Sequence, residues 1–221
     1  MKLKVSTADE ALAQFPQSSY LNTSGVYDVT IKFASVDVST GGAESVNFNV
    51  DYQGSPTTLY GPYVQDKQGN VLAIGAKLIN ALAVIAGMQD GDDYVMEKEE
   101  HLVGKDNEAK TFNVITNFSD LACKVQVQEE WSINPNTKQP RKSLVIKNFF
   151  SEEGATASEL KSGKDKGKQL AIVLEKYASN ITYRDGLTAE VVAEFKASQK
   201  AGKSAPAPKP TATAKAGSLF K

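Results

Sequence analysis

Four basic side chains are concentrated between residues 132 and 150, where no acidic residue occurs. They are Lys138, Arg141, Lys142 and Lys147. Aromatic residues flank the same stretch, with Trp131 before it and Phe149 and Phe150 at its end. Cationic groups pair with phosphates and flat rings stack on bases, so this combination suits binding of single-stranded nucleic acid. The alternative is that the three rings lie in the core and the cations line an ordinary solvated loop.

The residues around these charges alternate as residues do in β-strands. From Cys123 to Trp131, apolar residues recur at every second position, with Glu129 as the interruption. This period of two predicts a strand with one buried face. Residues 144–150 are rich in β-branched and aromatic types, and prolines and asparagines between the two segments indicate a turn. A long antiparallel hairpin with a basic tip is therefore predicted over residues 121–150.

Three strands and a helix are predicted ahead of this hairpin, and they must position it. They cover residues 25–38, 46–50 and 59–64 for the strands and 77–86 for the helix. Gly61-Pro62 within the third strand indicates a bulge or an edge, because proline cannot donate to a ladder. The helix is predicted from apolar residues at three- and four-residue steps, and Gly87 follows where a helix favours a left-handed residue.

Two stretches between these elements have weaker patterns. Residues 71–74 are predicted to continue the third strand as a hairpin beyond the turn at 66–70. Residues 91–110 are charged and irregular, and they fit either a long insertion or a weak strand.

Helices are predicted near both ends of the chain. Thr7 and Glu10 form a capping-box pattern for a short helix over residues 8–15. After the hairpin, apolar stripes predict helices that begin near Ser158, Gln169 and Thr188. The predicted organisation is an N-terminal lead-in, a barrel domain, a helical brace and a flexible basic tail. Their boundaries are residues 1–22, 23–152, 153–199 and 200–221.

Composition excludes several classes of protein. A hydrophobic share of 41% and a charged share of 23% are typical of a globular domain. The longest apolar run is too short for a membrane span, and the first residues lack the apolar centre of a secretion signal. One cysteine, Cys123, and one histidine, His101, cannot form a structural zinc set, and Cys123 is predicted to be a core residue. No catalytic motif occurs, so we expect neither an enzyme nor a bound metal or cofactor.

The charge balance counts against a simple DNA-binding interpretation. Six of the 25 basic residues follow Phe195, where no acid occurs, so 19 basic residues face 26 acids in the rest of the chain. A nucleic-acid binder is usually more basic than this. The interpretation requires that the positive charge gather on one face of the molecule.

The order strand, strand, strand, helix, strand, strand is that of an OB-fold, a five-stranded Greek-key barrel. The sequence resembles the OB-fold single-stranded DNA-binding proteins of tailed bacteriophages. The likeness lies in GVYDV at residues 25–29, GAKLIN at 75–80 and FSDLACKV at 118–125. It implies a mainly β protein with accessory helices that binds single-stranded DNA in replication or recombination, in the cytoplasm of an infected bacterium. The basic tail departs from the acidic tail common in such proteins.

If the barrel binds DNA, the contacts are predicted from side-chain chemistry. Rings on the strands would stack bases, and cations in the turn and hairpin would hold phosphates. The predicted stacking rings are Tyr52, Tyr60, Tyr63, Trp131 and Phe149. The predicted phosphate contacts are Lys67, Lys138, Arg141, Lys142 and Lys147.

Two other interpretations remain open from the sequence. One is a structural or scaffold β-protein of a phage particle. The other is a recombination mediator that grips a replication or recombination protein through Leu219 and Phe220, an apolar pair at the end of the tail. Self-association is compatible with all three.

Overall fold

The computed structural model describes residues 21–104 and 107–202. The strands are β1 (Gly25–Val38), β2 (Glu44–Tyr52), β3 (Ser55–Leu59), β4 (Tyr63–Gln65), β5 (Met96–Val103), β6 (Glu108–Ile115), β7 (Leu121–Ile133), β8 (Pro140–Ser151) and β9 (Ile181–Tyr183). The helices are α1 (Ala73–Ile85), α2 (Ala157–Ser162), α3 (Lys168–Lys176) and α4 (Ala189–Gly202). The protein is mainly β with accessory helices, as predicted. No helix among these residues is both long and apolar enough to cross a membrane.

The strands form an open antiparallel sheet that branches at β1. Strands β3, β2, β1, β6 and β5 lie side by side in that order. The first half of β1 pairs instead with β7, from Gly25 opposite Val127 to Ile31 opposite Leu121. A shift of register between Ile31 and Phe33 bends β1 against β2. Beyond Ile31 the same edge of β1 meets β6, with Ser35 opposite Val114, so one long strand has two neighbours along that edge.

Contacts divide the chain into two compact units. The first contains the described residues up to Glu130 together with Lys142–Thr182. The second contains Trp131–Arg141, which is the hairpin tip, and the described residues from Tyr183 onward.

The core of the first unit is built from the inward residues of the sheet and one face of α1. Phe48 of β2 and Phe149 of β8 meet edge to face with their ring centroids 5.2 Å apart, and both are buried. Ile79 and Leu82 of α1 belong to the same cluster and lie six and three residues before the end of the helix at Ile85. The three-residue step between them places both on the buried face. The predicted helix is confirmed, and Gly87 has φ of 86° just beyond its end.

Several boundaries differ from the sequence prediction. The third strand is divided into β3 and β4, because the chain leaves the ladder at residues 60–62. The predicted hairpin at residues 71–74 is confirmed only for its first two residues: Val71 bridges to Gln65 and the Leu72 N–H donates to the Val64 carbonyl, but α1 begins at Ala73. Residues 91–110 contain β5 and the first residues of β6, so the strand alternative is confirmed there. The predicted helix at residues 8–15 and the tail with Leu219 and Phe220 lie outside the described residues.

Glu159 ties the start of α2 to the start of α3. The Thr156 hydroxyl accepts from the Glu159 backbone N–H, which completes a capping box. In return, the Glu159 carboxylate accepts from the backbone N–H groups of Thr156 and Gln169, each at 2.8 Å. Burial by itself raises the pKa of this carboxyl, but the hydrogen bonds outweigh it and hold the pKa below its ordinary value of 4.5.

Glu159→Gln is expected to lower the free energy of unfolding at neutral pH by about 1 kcal/mol, because an amide accepts backbone N–H bonds less strongly than a carboxylate. A folded-state pKa below 4.5 stabilises the fold above that pH, and the contribution is lost as the pH falls through the folded-state value. Urea midpoints of the native protein and the variant should therefore differ at neutral pH and converge below about pH 4. A difference that is constant across this range contradicts the assignment.

Candidate nucleic-acid interface

Two tyrosine rings project from the segment that joins β3 to β4. Tyr60 is 73% exposed and Tyr63 is 54% exposed. Only Gly61 and Pro62 separate them. Large aromatic side chains are normally at least half covered in a folded domain, so two such rings in one short segment form an unusual surface.

The backbone that carries these rings is held against β2. The Gly61 N–H donates to Asn47 Oδ1 at 3.1 Å, and the Val46 N–H donates to the Pro62 carbonyl at 3.2 Å. A Cβ on Gly61 would lie 1.6 Å from the Val46 carbonyl oxygen, so only glycine permits this approach. The two rings are therefore presented on a fixed backbone.

Asn47 is the buried side chain that makes this connection. It is 8% exposed, and besides accepting from Gly61 it donates through Nδ2 to the Asp37 carboxylate of β1. A buried amide is stable only when both its donor and its acceptor are used, and here both are. Asn47 thus links the tyrosine segment to the centre of the sheet.

The start of α1 lies against the same segment. A Cβ on Gly75 would come within 2.0 Å of the Tyr63 carbonyl oxygen, and the Leu72 N–H donates to the Val64 carbonyl at 2.8 Å. Val71 and Ile74 are 69% and 86% exposed, so apolar surface continues beyond the rings. The sequence did not identify Ile74 as an exposed residue of this surface, because residues 71–74 have the composition of a strand. The glycine that follows, Gly75, was the available signal that a strand ends there.

Lys67 is exposed on the turn between β4 and α1. Asp66 shapes this turn by accepting from the backbone N–H groups of Gln68 and Asn70, at 2.9 and 2.8 Å. The Asn70 side-chain amide also donates to Asp66 and is the main reason that the pKa of Asp66 lies below its ordinary value. The Lys67 backbone lies 3.9 Å from the Cβ position of Gly42, in the β1–β2 turn. Lys67 therefore lies where the turn between β4 and α1 approaches the turn between β1 and β2.

Two of the predicted stacking rings are buried, and a third is partly covered. Phe149 is 3% exposed and Trp131 is 5% exposed, so neither offers a face to a base. Tyr52 is half-buried and packs edge to face on Tyr27, with centroids 5.3 Å apart. These rings occupy the inward positions of their strands. The prediction that Trp131 and Phe149 bind DNA is corrected accordingly: both are packing residues.

Two of the lysines predicted to contact phosphates, Lys142 and Lys147, contact or are partly covered by other residues of the protein. Lys142 lies 3.3 Å from the carboxylate of Glu129, which is buried, and it also donates to the Asn22 carbonyl. Glu129 is the residue that interrupts the apolar alternation of β7, so Lys142 compensates a buried charge. Lys147 is half-buried on β8. Lys142 therefore also stabilises the fold, and the predicted phosphate contacts of Lys142 and Lys147 stay predictions.

The second unit presents its own cations at the hairpin tip. Lys138 and Arg141 are exposed, and Lys138 has φ of 55° in a turn closed by its N–H on the Asn134 carbonyl at 2.8 Å. Within this unit, Lys196 of α4 lies over the Trp131 ring, 4.7 Å from its centroid. That cation–π contact covers the ring with a side chain of the same unit.

Two lysines of the sheet are paired with acids. Lys32 of β1 contacts Asp120 at 2.8 Å, and Lys124 of β7 contacts Asp28.

Burial raises the pKa of Cys123 to about 12, so its thiol stays protonated at neutral pH, in agreement with the predicted core position. No group of three or more histidine, cysteine or acidic side chains able to hold a metal occurs in the described part of the chain.

Comparison with known proteins did not identify a family for this chain. No protein-family model matches the chain. A search of curated proteins likewise gave no match.

Proposed function

We propose that this protein binds single-stranded DNA without sequence preference. The observation that carries the proposal is the pair of exposed rings, Tyr60 and Tyr63, on a backbone braced by Asn47. Every base has a face that stacks on an aromatic ring, so such a platform binds single strands irrespective of sequence. Bases inside a duplex are already stacked, and duplex DNA has no such face to offer.

Positive charge near the rings supports the same function. Lys67 is exposed four residues beyond Tyr63, and Lys77 is exposed on α1. Ammonium groups at these positions can pair with the phosphates of a strand whose bases stack on the tyrosines. In the second unit, considered by itself, Lys138 and Arg141 are further candidate phosphate contacts.

The strand connections support an OB-fold arrangement as part of this proposal. β1 pairs with β2 on one side and with β7 on the other, and α1 lies in sequence between β4 and β7. In OB-folds the oligonucleotide binds across the second and third strands and the adjoining turns. The tyrosine segment lies between β3 and β4, the two parts of the predicted third strand, and this position supports a ligand beside that strand.

The biological setting follows from the proposed activity and the resemblance to phage proteins. A non-specific binder of this kind protects or organises single-stranded phage DNA during replication or recombination. It acts in the cytoplasm of the infected host.

The proposal is tested by fluorescence anisotropy of a labelled oligo-dT. Binding is expected at low salt, and the logarithm of the binding constant should fall linearly with the logarithm of salt concentration, by about 0.7 per phosphate contact. Unlabelled duplex of the same length should compete poorly. A label on the DNA is preferable to Trp131 fluorescence, because that ring is buried. Absence of binding at low salt contradicts the proposal.

A protein-binding function is the second candidate, and the exposed aliphatic residues favour it. Val71, Leu72 and Ile74 extend the tyrosine surface with apolar groups that do not recognise phosphates. A structural role in a phage particle, or recruitment of a recombination partner, would use such a surface. Ile74→Ser tests whether this apolar surface contributes to DNA binding. It should leave oligo-dT affinity within about twofold if the rings and lysines bind DNA.

Asn47→Ala is expected to weaken oligo-dT binding by about three- to tenfold, because Tyr60 and Tyr63 lose the brace that fixes their backbone. It should also lower the free energy of unfolding by about 1–2 kcal/mol, since the Gly61 N–H is left without its acceptor. Asn49→Ala is the matched control: Asn49 lies on the same strand and accepts from the Thr58 hydroxyl of β3 at 2.9 Å, whereas Asn47 accepts from the Gly61 backbone between the two tyrosines. Equal losses of affinity in both variants would contradict a specific role for Asn47.

A further inference from the structure

β5 lies at one end of the sheet. It pairs with β6 along its whole length, from Met96 opposite Ile115 to Val103 opposite Glu108, and β6 is its one partner among the described strands. An edge strand presents a row of backbone N–H and C=O groups that another strand can use. An eight-residue edge is long enough to serve as a docking surface.

The outward face of β5 carries two apolar and two charged side chains. Met96 and Leu102, at its ends, are 50% and 68% exposed. Lys98 and Glu100, between them, are exposed as well. On the neighbouring strand they stand opposite Asn113 and Thr111, so within the described sheet neither has an opposite charge across from it.

This sequence is complementary to itself when reversed. In an antiparallel pair centred on Glu99, Met96 stands opposite Leu102 of a second copy, and Lys98 stands opposite Glu100 of that copy. Two-fold symmetry repeats both pairs, which gives two apolar and two opposite-charge cross-strand contacts. Such directly opposed pairs stabilise antiparallel sheets.

The other face of β5 is compatible with the same register. Glu97 stands opposite His101 of the second copy. Glu99 stands opposite its own equivalent at the symmetry axis, which is the one like-charge pair in the arrangement. Its carboxylate already lies 2.7 Å from Nε2 of His101 in its own chain.

Neighbouring registers are unfavourable. A shift of one residue in one direction places Glu97 opposite Glu100, which offsets the two Lys98–Glu99 pairs that the same shift forms. A shift in the other direction places Glu99 opposite Glu100 twice in each dimer, and either shift also exchanges the two faces of the strand. A shift of two residues places Lys98 opposite Lys98 or Glu100 opposite Glu100. The charges and the two faces of the strand therefore select one register out of those that overlap most of β5.

We propose that β5 is a dimerisation edge, on which β5 of a second copy adds in antiparallel orientation about a two-fold axis centred on Glu99. The contact is isologous, so it closes as a dimer and does not propagate into a filament. It adds backbone hydrogen bonds between the two sheets, as in other cases of strand addition. The inference does not rest on the proposed DNA binding.

Charge reversal tests this register directly by sedimentation velocity at several protein concentrations. The native protein should show a concentration-dependent dimer. Lys98→Glu and Glu100→Lys alone should each weaken it about tenfold or more, because each creates two like-charge pairs. The double variant K98E/E100K restores both opposite-charge pairs, and its dimer should return to near-native strength.

Mixing the two single variants is an independent arm of the test. Lys98→Glu and Glu100→Lys should each be mainly monomeric alone but should form a heterodimer when combined, because every 98–100 pair then has opposite charges. The control is K110E/E108K on β6, which reverses an exposed ion pair of 3.2 Å outside the edge and should leave the dimer unchanged. Circular dichroism checks that each variant retains its sheet.

A native protein that stays monomeric at the highest concentration overturns the proposal. Dimerisation that is unaffected by the single reversals, or that the double reversal does not restore, also overturns it, because either result places the contact on another surface.

Discussion

Tyr60→Ala and Tyr63→Ala are each expected to weaken binding of oligo-dT by about 5- to 150-fold. This range corresponds to the loss of about 1–3 kcal/mol of base stacking for each ring. Because the two rings are 73% and 54% exposed, their removal leaves no cavity, and the free energy of unfolding should change by less than about 0.5 kcal/mol. Anisotropy of labelled oligo-dT measures the affinity, and urea denaturation measures the stability.

Two control variants separate stacking from a general effect of removing a tyrosine. Tyr60→Phe keeps the ring and loses only the hydroxyl, so it should retain most of the affinity. Tyr177→Ala removes a ring of similar exposure, 49%, from the position just after α3, and it should leave binding unchanged. If the alanine variants at residues 60 and 63 bind as tightly as the native protein, these rings do not stack bases.

Phe149→Ala is expected to lower the free energy of unfolding by about 3–5 kcal/mol. The side chain is 3% exposed and packs on Phe48, so its removal loses both buried apolar surface and an aromatic contact and leaves a cavity. Many domains are stable by only about 5–15 kcal/mol, and a loss of this size is a large fraction of the total. Urea denaturation followed by circular dichroism gives the value.

The same variant tests whether Phe149 belongs to the core or to a binding surface. Phe149→Leu fills most of the space and should lose about 1–2 kcal/mol, with oligo-dT affinity unchanged at low temperature where it is folded. If Phe149→Ala unfolds outright, Phe149→Leu still distinguishes the two roles. A large loss of affinity in a fully stable Phe149→Leu protein contradicts the core assignment.

The hairpin over residues 121–150 shows how far local patterns reach. Alternation along β7 predicts the strand and its buried face, and Cys123, Val125 and Val127 are buried as expected. The same alternation makes Glu129 look like an error in the pattern. In the structure Glu129 is buried with Lys142 beside it. That partner lies on the returning strand, so no local pattern could have identified it.

The aromatic residues show what residue type and local pattern cannot predict. Tyr60, Tyr63, Trp131 and Phe149 were equivalent candidates by residue type and by their place on predicted strands. Two of them are exposed and two are buried, because burial depends on which face of a strand another layer covers. The sequence left residues 91–110 open between an insertion and a weak strand for a related reason: the charged residues there alternate weakly, and the pairing of β6 with β1 is long-range.

The amino-acid sequence alone determined the mainly β class, the α1 period and its glycine stop, and the basic hairpin, because each depends on residues close together in the chain. Only the tertiary structure decided that Tyr60 and Tyr63 are the free rings, that Lys142 neutralises Glu129, and that β5 is an edge. These features depend on which distant segments meet, through the approach of Gly61 to Val46 and the bend of β1 at Phe33. Side-chain periodicity carries no information about such encounters.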